Sequence, residues 1–364
     1  MVKTRKKKFK MPFERKKLTL KRKKAPVIGM FTIPLPRESR AHAHSYLPSS
    51  TVKWIEMSAA RVMPIMYDLP HNVMKTLLEQ CNGLIIWGTQ INALFHTGKH
   101  ETTVSSKIGP ARYKTYIRAL DFAFSYIMSE NIKGNFYPIL GVSDGAQKLA
   151  LAATFAMKRD KEILRYKKVF ASSEKYLSHI AARNYPQSLR FTKNKSIFKS
   201  AFTTAERKKL SKEKVLYVNS SLGIKTDAKY IQKYVKPTKI SPTEMVIDAE
   251  GIGRNGAKFV TIFSFKNLPL YGFQFLPQTI QFEHQVMNHI QTKEARLVSN
   301  KLSKTFVNLC KKNMNNLLDP SLLIYSYTLY GRKAIPKILH PKAWFYKFFN
   351  NNYESAYFFN LVPY

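Results

Sequence analysis

Acidic residues, cysteines and long apolar stretches are scarce in this 364-residue chain, and each scarcity excludes a class of protein. The two cysteines, Cys81 and Cys310, form no CxxC pair and have no neighbouring set of histidines. Neither a disulfide framework nor a zinc knuckle is therefore predicted, no metal or cofactor is expected, and a reducing compartment fits. No apolar run reaches the ~18 residues of a membrane span, and the N-terminus lacks the apolar core of a signal peptide. We therefore expect no membrane span.

The shortage of acids gives the chain an extreme charge. Asp and Glu number 22 against 61 Lys and Arg, for a formal net charge of +39. This excess is larger than solubility requires, and it favours a polyanionic partner whose counterions are released on binding. RNA, DNA and acidic lipid headgroups all fit. A coding bias toward Lys, Asn, Ile, Phe and Tyr is the alternative explanation, although bias alone would not deplete acids.

Two stretches carry most of this charge. Residues 1–24 contain a single acid, Glu14, and almost nothing apolar to bury, so we expect a disordered arm when it is alone. Residues 158–214 contain seventeen Lys or Arg against five Asp or Glu, with aromatic residues between them. The arm could be a nuclear-type address, a membrane-surface patch or an RNA-binding tail, and the charge on the second stretch favours RNA.

The residues predicted to contact nucleic acid are the thirteen basic residues of the arm and one basic run in the second stretch. They are Lys3, Arg5, Lys6, Lys7, Lys8, Lys10, Arg15, Lys16, Lys17, Lys21, Arg22, Lys23, Lys24, Arg207, Lys208 and Lys209.

Between these features the chain alternates short apolar runs with helical stripes. The runs VIGMFTI, RVMPIMY, GLIIWG and YPILG predict buried strands, and HNVMKTLLEQC predicts a helix between two of them. Such alternation predicts an α/β sandwich around a mixed, mostly parallel sheet, with functional residues at the carboxyl ends of strands. Residues 1–25 form the predicted arm, residues 26–332 the folded domain, and residues 333–364 an aromatic tail that is irregular after Pro341.

Two glycine motifs lie in this domain. Gly251 to Gly256 matches GxGxxG, but it leads into the apolar run AKFVTIF instead of a helix. We interpret it as a hairpin with a type I′ turn at Asn255-Gly256. The run GVSDG, residues 141–145, follows a predicted strand and fits the nucleophile elbow of serine hydrolases. His284 or His289 could in principle supply its base, although a lone histidine is usually surface or core.

Longer stretches resemble one family. SYLPSSTVKWIEMSAARVMPIMYDLP, NGLIIWG, NFYPILGVSDG, NGAKFVTIFSFKNLPLYGFQFLPQ, LSKTFVNLCKKN and LIYSYTLYG follow one another as in γ-glutamyl hydrolases, which belong to the class I glutamine amidotransferase-like group. The resemblance covers roughly residues 26–332. It implies the fold of that group, and it implies a site built from a cysteine nucleophile, a histidine base and an orienting glutamate.

At the positions that match this site, the chain departs from the family. The resemblance implies a cysteine where this sequence has Ser143, a histidine where it has Leu276 and a glutamate where it has Gln278. The oxyanion segment reads Trp87-Gly88-Thr89, so a second glycine is lost as well. A serine hydroxyl is a poor nucleophile without a base beside it, and Leu276 cannot accept a proton. We therefore expect an inactive member of the family.

The expected function is that of a structural component of a large ribonucleoprotein, with a mitochondrial ribosome in the matrix as the favoured assembly. Its partners would be ribosomal RNA and neighbouring ribosomal proteins. Two alternatives stay open. One is an accessory component of a mitochondrial membrane-protein complex, whose basic face would meet anionic lipids. The other is a residual hydrolase that uses Ser143.

Overall fold

A computed structural model describes the folded part of the chain. It describes residues 25–35, 43–88, 110–155, 176–227, 244–284, 290–331 and 353–359, together with positions 333, 346 and 349. All thirteen basic residues predicted for the arm, Lys3 to Lys24, lie outside this part, as do residues 158–175 of the second basic stretch.

An eight-stranded sheet forms the centre of the molecule. Five neighbouring strands are parallel, in the order β4 (Arg61–Ile65), β1 (Val27–Phe31), β5 (Gly83–Trp87), β6 (Ile139–Val142) and β12 (Leu270–Phe273). Three antiparallel strands continue the sheet, in the order β11 (Lys258–Phe265), β10 (Met245–Ile252) and β8 (Arg190–Phe191). The predicted fold class, a mixed α/β sandwich around a mostly parallel sheet, is confirmed.

Helices cover both faces of this sheet. Along β5, Ile85 and Trp87 join one apolar core while Leu84 and Ile86 join the other, because successive strand side chains point to opposite faces. Each face therefore needs its own cover, and this is why the strands are near-continuous apolar runs.

The covering helices fall into two groups. On the first face lie α1 (Ser49–Glu56) and α8 (Lys293–Cys310), joined where Trp54 Nε1 donates to Ser299 Oγ at 3.1 Å. On the second lie α2 (His71–Leu78), α3 (Pro110–Ile132) and α4 (Asp144–Phe155). The shorter helices are α5 (Ile197–Ser200), α6 (Thr204–Leu210) and α7 (Thr279–Phe282), with 3₁₀ turns at Pro320–Leu322 and Ile324–Ser326.

The predicted hairpin between β10 and β11 is confirmed, but the predicted type I′ turn is wrong. A type I′ turn needs a positive φ at both central residues. Only Gly256 has one, at 77°, while Asn255 does not. Gly253 N donates to Ala257 O at 2.9 Å, which closes a three-residue loop instead of a two-residue one. The strand register of the hairpin therefore accommodates one more loop residue than the dipeptide signal suggested.

Two smaller sheets complete the fold. One joins β13 (Leu329–Gly331), β14 (Ser355–Phe359), β3 (Ser45–Pro48) and β2 (Ile33–Pro34), and the other pairs β7 (Leu177–Gln187) with β9 (Leu216–Ile224). The prediction that the chain is irregular after Pro341 is wrong for β14, which pairs with β3 over four of its residues. Tyr and Phe favour strands, but the partner strand lies some three hundred residues away in sequence. Within the part of the chain that the structure describes, no helix is long and apolar enough to span a bilayer.

Candidate functional site

Ser143 occupies a sharp turn between a strand and a helix. It follows β6 directly and precedes α4, and its φ of 58° lies in the left-handed region that a non-glycine residue rarely adopts. Ser143 N donates to Phe273 O at 2.7 Å, and Ser143 O accepts from Ala146 N at 3.0 Å. The sequence prediction of a nucleophile-elbow geometry at this position is therefore matched by the backbone.

The two glycines around Ser143 are explained by close packing. A Cβ on Gly141 would lie 2.5 Å from Gly145 O and 2.6 Å from Ala146 Cα. A Cβ on Gly145 would collide with the carbonyl of Ile86 on the neighbouring strand. The G-x-S-x-G spacing thus lets the helix start directly against the sheet.

The strand on one side of the elbow brings Gly88 against it. Trp87 pairs with Val142, so the residue after β5 lies beside the start of α4. A Cβ on Gly88 would collide with Asp144 Oδ1 and lie 2.8 Å from Asp144 N. The Asp144 carboxylate thus occupies the space next to the segment that the family resemblance assigns to the oxyanion hole. Thr89, the next residue of that segment, lies outside the described residues.

Asp144 is also one half of a buried ion pair. Lys148 Nζ lies 3.4 Å from Asp144 Oδ2, one helical turn further along α4, and the two side chains are only 7% and 5% exposed. Burial lowers the pKa of Lys148, and the charge of Asp144 opposes that effect. Lys148 Nζ also lies 5.0 Å from the centre of the Tyr116 ring. A carboxylate held in this way presents acceptor oxygens, and no hydrogen-bond donors, beside the segment that would stabilise an oxyanion.

Buried aromatic side chains lie near Asp144. Tyr46 and Tyr353 are buried against each other, with ring centres 6.2 Å apart, and Phe349 packs on Tyr46 at 5.8 Å. Burial raises the pKa of the Tyr46 phenol above its ordinary value, and the nearby negative charge of Asp144 raises it further. Residues close to the C-terminus therefore pack beside the elbow.

The strand on the other side of the elbow leads to the predicted base position. Phe273 pairs with Val142, and residues 274–278 continue past the end of β12 at the same edge of the sheet as Ser143. Leu276 is 2% exposed and its N–H donates to Tyr217 O at 2.9 Å. The structure thus brings Ser143 and Leu276 to neighbouring strand ends, and the leucine offers no proton acceptor.

Gln278 lies at the start of α7 in the position that the resemblance assigns to a glutamate. It is 1% exposed, and its Oε1 makes no hydrogen bond to the described residues. With Leu276 beside it instead of an imidazole, this amide has no ring to orient. Three of the predicted positions therefore share one edge of the sheet without forming a proton relay.

The histidines proposed as substitutes give no support to a relay. His284 is exposed, and its Nδ1 hydrogen-bonds Gln291 Nε2 at 2.5 Å. His289 lies outside the described residues. Within those residues no group of three or more His, Cys, Asp or Glu side chains could hold a metal ion.

The basic run on α6 is split by the structure. Arg207 and Lys208 border an open groove beside β8, whereas Lys209 forms ion pairs with Glu294 at 2.5 Å and with Glu213 at 3.7 Å. Of the three residues predicted here, two are placed at one surface feature and Lys209 is turned toward α8. The prediction that all three contact nucleic acid remains a prediction.

Sequence reasoning missed the role of Asp144 and the buried Glu283. An acid directly after the elbow serine was visible in GVSDG, yet its contact with Gly88 depends on how two strand ends approach. Glu283 is 1% exposed, accepts a hydrogen bond from Glu354 N at 2.7 Å, and has its pKa raised to about 8 by burial. Its position just after a short apolar helix gave no signal of burial.

A mixed sheet with a strand-elbow-helix turn at its carboxyl edge places the chain among α/β proteins whose sites lie at the carboxyl ends of strands. The sequence model of the Peptidase C26 family matches residues 26–209, and the chain belongs to that family. The predicted resemblance to γ-glutamyl hydrolases is therefore confirmed.

Individual relatives match this chain over most of its length. Gamma-glutamyl hydrolase B of Dictyostelium discoideum is 23% identical over 314 residues, covering 83% of this chain and 78% of the relative. Probable gamma-glutamyl hydrolase 3 of Arabidopsis thaliana is 24% identical over 319 residues, with 83% and 78% covered. Among solved structures, a putative GMP synthase component from Thermoplasma acidophilum aligns with a TM-score of 0.40 and 13% identity, covering 79% of this chain and 94% of that one.

Proposed function

We propose that this chain is a catalytically inactive γ-glutamyl hydrolase-like protein that serves as a structural, RNA-binding component of a large ribonucleoprotein. The assembly that we favour is a mitochondrial ribosome in the matrix, where ribosomal RNA and neighbouring ribosomal proteins would be its partners. One observation carries the inactivity: Leu276 stands at the strand end beside Ser143, where a base would be needed. The net charge of +39 carries the RNA partner.

The position of Asp144 supports inactivity independently of the missing base. Acyl transfer through Ser143 would place negative charge on the substrate oxygen, and preorganised N–H donors normally stabilise that charge. Here a buried carboxylate lies against Gly88, and Lys148 already neutralises it. Restoring a base alone would leave this carboxylate in place.

The elbow itself favours the opposing candidate, a serine hydrolase. The positive φ of Ser143 is the kind of backbone strain that such enzymes store at their nucleophile. Purified full-length chain should nevertheless show no turnover of a γ-glutamyl peptide or a simple ester above that of Ser143→Ala, and no labelling by a serine-reactive probe. Turnover or labelling that disappears in Ser143→Ala would overturn the inactive assignment.

The RNA-binding part has a separate test. Full-length chain should co-sediment with mitochondrial ribosomes, and its affinity for RNA should fall with salt by roughly 0.7 to 0.9 log units of affinity per log unit of salt for each phosphate neutralised. Deleting residues 1–24 should weaken binding and leave the melting temperature unchanged, because the arm has almost nothing apolar to bury. Salt-independent affinity, or tighter binding to RNA-free anionic liposomes than to ribosomes, would contradict the proposal.

A further inference from the structure

An open groove of about 610 Å³ lies between β8 and the two short helices α5 and α6. Four basic side chains border it: Arg190 from β8, Lys199 from α5, and Arg207 and Lys208 from α6. The hydroxyl-bearing residues Thr192, Thr204 and Ser211 lie between them. Phe191 completes the lining, so that four of its eight residues are basic. The volume of the groove falls within the roughly 300–1,000 Å³ of ligand sites.

The charged side chains of α6 point either toward α8 or toward the groove. Glu206 and Lys209, three residues apart and so on one face, pair with Lys301 at 2.7 Å and with Glu294 at 2.5 Å on α8. Arg207 and Lys208 lie on the groove side. The capping box between Thr203 and Glu206 fixes where this helix begins, and therefore which residues reach each side.

The basic side chains of the groove are held by neutral groups. Arg190 Nε donates to Ser188 Oγ at 3.1 Å, and Lys199 Nζ donates to Thr192 O at 2.6 Å. Arg207 donates from Nη1 to the carbonyl of Phe202 and from Nη2 to Thr204 Oγ1 at 2.9 Å. Such contacts fix the position of a cation without cancelling its charge.

Glu250 faces Arg190 across the β10–β8 strand pair, but it forms no ion pair with it. Among the described residues, none of these four basic side chains has a carboxylate oxygen within ion-pair distance. Lys199 acts electrostatically on one nearby acid, Asp248. Asp248 is fully buried and accepts a hydrogen bond from Ser264 Oγ at 3.2 Å. Burial raises the pKa of Asp248 to about 7, against the opposing effects of hydrogen bonds from Ser196 and Ser264 and of the charge of Lys199. The groove therefore keeps most of its positive charge for a ligand.

We propose that this groove binds the phosphodiester backbone of RNA, an inference that rests on the proposed function and assigns it a site on the folded domain. Arginine forks and hydroxyls are the side-chain donors that phosphate oxygens accept most readily, and they position a protein on RNA without reading its sequence. The groove lies in the described part of the basic stretch 158–214, so surrounding charge would draw the same polyanion toward it.

The test compares two double variants of the full-length chain. Arg190→Gln/Lys208→Gln removes two charges that border the groove, and Lys212→Gln/Lys214→Gln removes two exposed charges just after α6 that do not. Binding of a fluorescent single-stranded oligouridylate is followed by anisotropy between about 50 and 200 mM salt. We expect the groove variant to bind roughly tenfold more weakly near 150 mM salt, with a salt slope smaller by about 1.4. The control should keep a slope close to that of the wild type.

The outcomes separate the two proposals. If the wild-type chain does not bind RNA, the proposed function fails and the groove assignment fails with it. If the wild type binds and the two double variants lose equal affinity, the groove assignment alone is overturned, because only overall charge then matters. Lys208→Glu provides a second check at an exposed residue, since charge reversal in the groove should weaken binding more than Lys212→Glu does.

Discussion

The elbow at residues 141–145 and the basic groove at residues 190–211 use charge in opposite ways. At the elbow, Asp144 and Lys148 are buried and neutralise each other, so their charges serve the fold. In the groove, Arg190 and Lys208 are exposed, and neither forms an ion pair within the described residues. A buried charge must be paired to be tolerated, whereas an exposed unpaired charge is free to attract a ligand.

Under the proposed function, this difference separates a region whose charges serve the fold from one whose charges serve binding. The elbow retains the backbone of a nucleophile turn while the positions around it offer no base, and a carboxylate fills the space beside Gly88. The groove has no counterpart among the catalytic positions that the family resemblance supplies. Stability should therefore be sensitive at the elbow, and binding should be sensitive at the groove.

The largest expected effect comes from substituting lysines in the two regions. Lys148→Met would leave the Asp144 carboxylate buried without its cation, which should cost about 3–5 kcal/mol of unfolding free energy. Lys208→Met should change stability by less than about 0.5 kcal/mol, because the side chain is exposed. Urea denaturation of both variants measures the difference.

A matched ion pair controls for helix geometry in that experiment. Lys75 and Glu79 also lie one turn apart on a helix, with 3.6 Å between Nζ and Oε1, but their side chains are 55% and 49% exposed. Lys75→Met should therefore cost no more than about 0.5 kcal/mol. Equal losses of unfolding free energy in Lys148→Met and Lys75→Met would mean that the buried pair stabilises the fold no more than an exposed pair does.

A smaller effect is expected from closing the space between Gly88 and Asp144. In Gly88→Ala the new methyl group would collide with the Asp144 carboxylate, and overpacking of this kind costs about 1–3 kcal/mol. The same Gly88→Ala change should cost less in an Asp144→Ala/Lys148→Met background, where the colliding atoms are gone and no buried charge is left unpaired. Gly331→Ala is the matched control, because its Cβ would meet nothing within 4 Å. A melting temperature unchanged in Gly88→Ala would refute the close approach.

The parallel half of the sheet could be predicted from the sequence because buried strands are written as continuous apolar runs. GLIIW and ILGV are such runs, and both are fully buried. Apolar runs predicted neither the three-residue loop that contains Gly256 nor the pairing of β14. Loop length in the hairpin follows from strand register, and β14 finds its partner through long-range contacts that local propensity does not encode.

The candidate site likewise has a part that the sequence predicted and a part that it did not. The order of motifs was enough to place Ser143 and Leu276 at neighbouring strand ends, because each follows a recognisable apolar run. The contact of Asp144 with Gly88 and the split between Lys208 and Lys209 depend on distances between elements. Sequence spacing fixes which residues share a helix face, but it does not fix what lies opposite that face.

The last prediction, whose effect per pH unit is the smallest, concerns Glu283, a second buried acid near the elbow. Glu283 lies near Tyr353, whose ring is also close to Asp144. Burial, assisted by the charge of Glu354, raises the pKa of Glu283 from 4.5 to about 8. Hydrogen bonds from Ser50 and Glu354 N and the charge of Lys53 oppose this shift.

Between pH values of about 4.5 and 8, the folded chain should therefore hold a proton on Glu283 that the unfolded chain has released. Unfolding free energy should fall as pH rises through this window, by at most about 1.4 kcal/mol per pH unit for this one group. Glu283→Gln should flatten the slope, because glutamine stays neutral and can still accept the hydrogen bond from Glu354 N. Glu79→Gln, at an exposed position just after α2, should keep the wild-type slope in the same urea titrations. If Glu283→Gln retained the wild-type slope as well, Glu283 would be ionised in the folded chain, and the contrast between a closed elbow region and an open groove would lose one of its supports.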